Sequence, residues 1–191
     1  MRVLLLNGSR TVQHDPTTEL ISKICRQELE KNGHLFKEIR LAEKKIAPCL
    51  GCFGCWVKTP GVCVIPDEGR EIAASVIRSN LLINLTSITF GGYSSELKKA
   101  MDRLIPLLSP FFMKIKGEVH HQTRYKSYPK LLNIGVLPEN DPKMAELFRT
   151  LGERNAINLH SPLYRCGIYL NTQEPEAISN NLVQLLKEVG A

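Results

Sequence analysis

The chain lacks the long apolar runs that a membrane protein or a secreted precursor needs. It opens MRVLLLNGSR, where one basic residue precedes a short run, VLLL, that ends at Asn7-Gly8. That run is too short for a secretory signal and far too short to cross a bilayer, and no membrane-length stretch follows. A cytoplasmic location and no membrane partner are therefore expected. Repeats and low-complexity linkers are also missing, so one domain, 1–191, is the expected organisation. Neither a GxGxxG dinucleotide fingerprint nor a GxxxxGK[ST] phosphate loop occurs. The histidines, His14, His34, His120, His121 and His160, are scattered and make no recognisable triad, so none is assigned to catalysis. Few aromatics interleave with the basic residues of KIKGEVHHQTRYKSYPK (114–130). The net charge of +6 accordingly reads as a solvated loop or a surface facing an anionic cofactor, with no nucleic-acid partner expected.

What is present is a regular alternation. Apolar residues make up 43% of 191, enough for a full core. VLLLN, HLFKEIRL, LLINLTSITF, KLLNIGVL and LYRCGIYL read as strands. TTELISKICRQELEKNG, DEGREIAASVIRSN, SSELKKAMDRLIPLL, a segment opened by Asn140-Asp141-Pro142, and PEAISNNLVQLLKEVG read as helices. Cys25 and Cys166 fall within such elements and read as structural. Strands alternating with helices predict an α/β fold, a flavodoxin-like three-layer sandwich with a five-stranded parallel sheet in the order 2-1-3-4-5. Ligands of such sheets sit beyond the carboxyl ends of the strands, which directs attention to the loops after strands one, three and four.

The first of these loops, NGSRTVQHDPTTEL, offers Ser9, Arg10, Thr17 and Thr18 between a strand and a helix start. Hydroxyls, backbone N–H groups and one arginine suit a dianionic monophosphate. The simpler alternative is that Thr17 or Thr18 only caps the helix. The loop LTSITFGGYSSELKKAMDRL supplies Thr86, Ser87, Ile88, Thr89, Phe90, Gly91, Gly92 and Tyr93, a composition able to wrap a flat heteroaromatic ring. An ordinary glycine turn is the alternative there. Lys98 and Asp102 stand i, i+4 and read as a helical ion pair.

GSR…TTEL, ITFGGYSSELKKAMDRL and the cysteine segment between them resemble the NADPH-dependent FMN reductase family, whose fold is flavodoxin-like. The LKKAMDR element at 97–103 carries the likeness most closely. The resemblance implies FMN, with its phosphate on Ser9, Arg10, Thr17 and Thr18 and its isoalloxazine facing residues 86–93. It also implies NAD(P)H as an electron donor, with the hydride chemistry in the flavin and no catalytic side chain.

Four of the six cysteines lie in PCLGCFGCWVKTPGVC (48–63), spaced C-x2-C-x2-C-x7-C. Disulfides are disfavoured in a reducing compartment. Structural zinc usually takes two CxxC pairs across a longer spacer. A triplet at three-residue intervals, with a fourth cysteine a short loop away, suits the corners of a [4Fe–4S] cluster. Gly51, Gly54 and Gly61 would let the backbone bend around it, and Trp56 either shields the site or packs on the sheet. The arrangement resembles the iron–sulfur flavoproteins. That likeness implies Cys49, Cys52, Cys55 and Cys63 as cluster ligands, electron exchange with FMN, a homodimer or homotetramer, and a small-molecule or ferredoxin-like redox partner. Two other readings stay open, a cluster-free NAD(P)H-dependent FMN or quinone reductase and a zinc-stabilised nucleic-acid or protein-binding module.

Overall fold

The computed structural model describes residues 1–10 and 15–191, so Thr11, Val12, Gln13 and His14 of the first loop lie outside the described residues. β1 (Arg2–Asn7), α1 (Pro16–Lys31) and β2 (Leu35–Arg40) lead into the cysteine segment, which contains a short helix α2 (Gly54–Val57). Next come α3 (Gly69–Arg78), β3 (Leu81–Ser87) and α4 (Ser95–Asp102). An antiparallel pair, β4 (Leu108–Ile115) and β5 (Glu118–Thr123), precedes β6 (Lys130–Leu137), α5 (Pro142–Asn158), β7 (Tyr164–Leu170) and α6 (Pro175–Glu188).

The strands β2, β1, β3, β6 and β7 pair in that order as one parallel sheet. With the hairpin set aside, this is the order expected from the sequence. The inner strands read as unbroken apolar runs because both their faces are covered. Val3, Leu5, Ile83 and Leu132 point to α1 and α6, while Leu4, Leu6, Leu82 and Leu131 point to α3, α4 and α5. Cys25 sits in the first of these layers, where burial and then the charge of Glu38 push its thiol up to about 12. It is a core residue.

Helix α1 is capped by Asp15, whose Oδ1 accepts from the Thr18 N–H at 3.3 Å, with Pro16 in the first turn. Thr17 and Thr18 therefore lie inside the helix, and the capping role read for them belongs to Asp15. At the start of α5, Asp141 accepts from the Met144 N–H at 3.0 Å. Helix α4 stops at Asp102, sooner than its sequence pattern suggested, and Pro106 falls in a following 3-10 turn.

The hairpin is the element the sequence reading lacked, since residues 114–130 read as loop. Lys116 and Gly117 both take positive φ, 49° and 86°, which closes a two-residue turn. Phe111, Phe112 and Val119 on its strands are exposed.

Candidate functional site

The carboxyl ends of β1 and β3 are drawn together at Gly8, whose N–H donates to Leu85 O at 2.8 Å. Ser94 fastens them, its Oγ donating to Gly8 O at 2.7 Å while accepting from the Leu97 N–H as the cap of α4. A Cβ on Gly8 would lie 2.7 Å from Ser94 Oγ and 2.8 Å from Leu97 Cβ, so only glycine permits this approach.

Ser9 and Thr17 are buried at the start of α1, and Arg10 lies exposed beside them, its Nη2 donating to Ser95 Oγ at 3.3 Å. Thr18 is fully buried and, among the described residues, its Oγ1 has no hydrogen-bond partner. The Asp15 carboxylate occupies the helix N-terminus and also accepts from Ser87 Oγ. A negative group is thus already favoured at this point by the first-turn N–H donors. Glu19 stands close by, but Arg40 from β2 holds it in a bidentate pair, both contacts 2.6 Å. Ser9 and Thr17 are thus buried and Arg10 is exposed, while Thr18 is fully buried and the helix N-terminus is taken by the Asp15 carboxylate.

In the β3–α4 loop, Thr89 and Gly92 exchange backbone hydrogen bonds of 3.0 and 2.9 Å. Between them Phe90 and Gly91 take positive φ, and Phe90 is 92% exposed at the tip. Ser87, Thr89, Phe90 and Gly92 are partly or fully exposed; Thr86, Ile88, Gly91 and Tyr93 are buried. Thr86 Oγ1 accepts from the Ser94 N–H at 2.9 Å. Tyr93 is buried edge-on against Phe148 at 5.5 Å, and its hydroxyl accepts from Nδ2 of Asn133 and of Asn155, both at 3.0 Å. It braces the loop from beneath, because a buried tyrosine hydroxyl needs partners and the asparagines of β6 and α5 supply them.

A cavity of ≈ 350 Å³ at the far end of α4 is lined by Cys49, Cys52, Cys55 and Cys63, together with Asp102, Arg103 and Pro106. Cys49 and Cys52 are exposed, Cys63 is half-buried and Cys55 is buried. Positive φ at Gly51 and Phe53 turns the triplet before α2 begins, while Gly54 is helical. Burial pushes the Cys55 thiol up, and the charges of Cys63, Cys49 and Cys52 add to it. Trp56 is sandwiched between Phe53 at 5.4 Å and His121 at 4.7 Å, and its Nε1 donates to Leu108 O at 3.0 Å. It packs towards the hairpin, which neither sequence reading foresaw.

The base of the cavity holds a pair that the sequence reading passed over. Asp67 accepts from the N–H groups of Ala47 at 2.8 Å and Gly69 at 3.0 Å, tying both ends of the cysteine segment. Arg103, only 1% exposed, donates to both Asp67 oxygens at 2.8 and 2.7 Å. The available signal was the terminal arginine of LKKAMDR with an aspartate shortly after the last cysteine. Burial alone would lower the Arg103 pKa, but Asp67 and the Cys63 sulfur raise it overall. Lys98 and Asp102 form the exposed ion pair expected of them, with contacts of 2.6 and 2.7 Å.

Among the described residues no three His, Cys, Asp or Glu side chains converge on one ion-sized point. A single zinc ion would need its thiolates about 2.3 Å from one centre. In a cubane each thiolate binds a separate iron, so the sulfurs spread around the walls of a cavity. Four sulfurs around one cavity beside one buried cation fit an anionic cluster better than a lone ion.

Residues 1–122 match the family model of NADPH-dependent FMN reductase. An iron-sulfur flavoprotein of Methanocaldococcus jannaschii is 32% identical over 116 residues, 61% of this chain and 58% of that relative's own length. An NAD(P)H:quinone oxidoreductase from Methanothermobacter marburgensis shares the fold over 100% of this chain and 96% of its own, with a TM-score of 0.70 at 11% identity. An FMN-dependent NADH-azoreductase from Bacillus anthracis, solved in complex with FMN, does so over 100% and 98%, with a TM-score of 0.69 at 14% identity. Among the described residues no helix is long and apolar enough to cross a membrane. The family match spans more than half of the chain, including both loops and the cysteine segment, and the chain belongs to the NADPH-dependent FMN reductase family.

Proposed function

We propose that the chain works as one FMN-binding domain, an oxidoreductase whose flavin exchanges electrons with a [4Fe–4S] cluster on Cys49, Cys52, Cys55 and Cys63. The observation that carries the cluster is the single cavity shared by all four cysteines and the buried guanidinium of Arg103. When bound, FMN supplies both hydride and one-electron transfer. Ser9, Arg10, Thr17 and Thr18 hold its phosphate, and the unpartnered Thr18 hydroxyl supports a missing acceptor there. Ser87, Thr89, Phe90, Gly91 and Gly92 border the ring, with Thr86, Ile88 and Tyr93 fixing their backbone from below. NAD(P)H or a ferredoxin-like protein delivers the electrons, and a homodimer or homotetramer is the working form.

The test is the content of iron, acid-labile sulfide, zinc and flavin in protein purified without oxygen. Equal numbers of iron and sulfide, four of each per chain beside one FMN, are expected at about full loading. FMN without metal would leave a cluster-free flavin or quinone reductase. Zinc without FMN would sink both enzyme readings and leave a metal-stabilised binding module. Gly8→Ala probes the loop contact separately. Overpacking against Ser94 and Leu97 is expected to cost about 1–3 kcal/mol and to weaken FMN binding in a fluorescence titration. Unchanged FMN affinity would count against placing flavin between these loops.

A further inference from the structure

A guanidinium carries five N–H bonds, and four of those on Arg103 have acceptors. Nη1 donates to Ala47 O at 2.7 Å and Asp67 Oδ2 at 2.8 Å, and Nη2 donates to Asp67 Oδ1 at 2.7 Å and Ile65 O at 3.4 Å. The fifth, on Nε, is buried with no partner among the described residues. An unmet donor on a charged group in a dry site is costly, and native proteins rarely leave one. Arg103 lines the cavity shared by the four cysteines. Its other four N–H bonds are committed to holding it there, so the side chain cannot swing away to satisfy Nε elsewhere.

We infer that Arg103 is a tuning residue for the cysteine site, its Nε–H donating to the Cys63 sulfur once that thiolate is ligated. The inference rests on the cluster reading above. Four thiolates and an iron–sulfide core carry net negative charge, and reduction adds one electron with no bond made or broken. A fixed cation with a hydrogen bond to sulfur stabilises the more negative, reduced state and so raises the potential. Asp67 holds the guanidinium in place and offsets part of its charge, which leaves the directed N–H as the specific contribution.

The experiment compares the full-length, anaerobically loaded wild type with Arg103→Lys and with the paired amide variant Asp67→Asn/Arg103→Gln. The lysine keeps a positive charge for Asp67 but has no Nε–H, and the paired variant removes both charges together. Iron, sulfide and flavin contents are measured first, followed by the cluster midpoint in a mediated reductive titration read by electron paramagnetic resonance. The expected result for Arg103→Lys is wild-type iron and flavin content with a lower midpoint. At the wild-type midpoint its reduced-to-oxidised ratio should fall about tenfold, equivalent to about 59 mV for one electron. The flavin midpoint, read in the same titration, should stay in place. An unchanged cluster midpoint at full iron content overturns the inference and leaves the cluster reading intact. If Arg103→Lys loses its iron, the paired variant decides by the same reading. Loss of iron from both, with flavin retained, makes Arg103 a strut of the loop and overturns the tuning role. A wild type that holds no iron overturns the cluster reading and this inference together.

Discussion

Asp67→Ala is expected to destabilise the protein by roughly 3–5 kcal/mol, the usual cost of removing one partner from a buried ion pair. The loss has two sources. Arg103 would keep its charge in a site where it is 1% exposed, and the N–H groups of Ala47 and Gly69 would lose their shared acceptor. Both ends of the cysteine segment would be released, so the proposed cluster should also be held less firmly. Asp67→Asn keeps a carbonyl in place and should cost less. Urea unfolding at neutral pH measures the difference, and a loss below 1 kcal/mol would contradict this account of the pair. Acid conditions provide a second check. Burial by itself would raise the Asp67 pKa, but Arg103 and the two backbone N–H groups outweigh it and hold the carboxyl below its ordinary value. The stabilisation is therefore fully present above the unfolded value of about 3.9 and is lost as pH falls through the lower folded value. Wild type and Asp67→Ala should converge in that acid window and differ by a constant amount near neutrality.

Phe148→Ala is expected to cost about 3–5 kcal/mol as well, through lost burial and the cavity left behind. Phe148 is fully buried on α5 and forms part of the floor beneath the β3–α4 loop. It meets Tyr93 edge-on, and a Cβ on Gly135 would touch both its ring, at 2.7 Å, and Ile88 Cδ1, at 2.6 Å. Emptying that space removes support from Ile88 and Tyr93 together. The variant should accordingly lose FMN affinity more steeply than a truncation of similar size in the opposite layer, such as Leu29→Ala. Thermal unfolding with and without FMN separates the two effects, because ligand stabilisation scales with affinity. Equal FMN-induced shifts in both variants would show that the floor does not act on the loop.

The sheet was legible in the sequence because burial on both faces writes each inner strand as an uninterrupted apolar run. VLLLN and KLLNIGVL show this most plainly, and Asp141-Pro142 marked the start of α5 as read. The hairpin was not legible. Most of β4 faces outward, so no alternation distinguishes it, and Pro110 argues against a strand. The site divided along the same line. Ser9, Thr17, Thr18 and the four cysteines stood out as candidates because they are grouped along the chain itself. Tyr93 and Arg103 depend on partners elsewhere in the chain, at separations of 40 and 62 residues for the tyrosine and 36 for the arginine. One was read as facing the isoalloxazine and the other only as the end of the LKKAMDR element, since nothing local records those contacts. The cap of α1 shows a smaller version of this, in that Asp15 competes with the adjacent threonines and wins by also reaching Ser87.

Trp56 is the sole tryptophan of the chain, and it follows Cys55 directly in sequence. Its indole is pinned to Leu108 O and held between Phe53 and His121, so it has one environment and not a spread of them. Ultraviolet emission from this protein therefore comes from a single lamp stacked on Phe53, which lines the cysteine cavity. A dark, strongly absorbing group held by the neighbouring thiols will dim it, and chelation will bring the light back, so filling and emptying of the cavity can be timed without any added label.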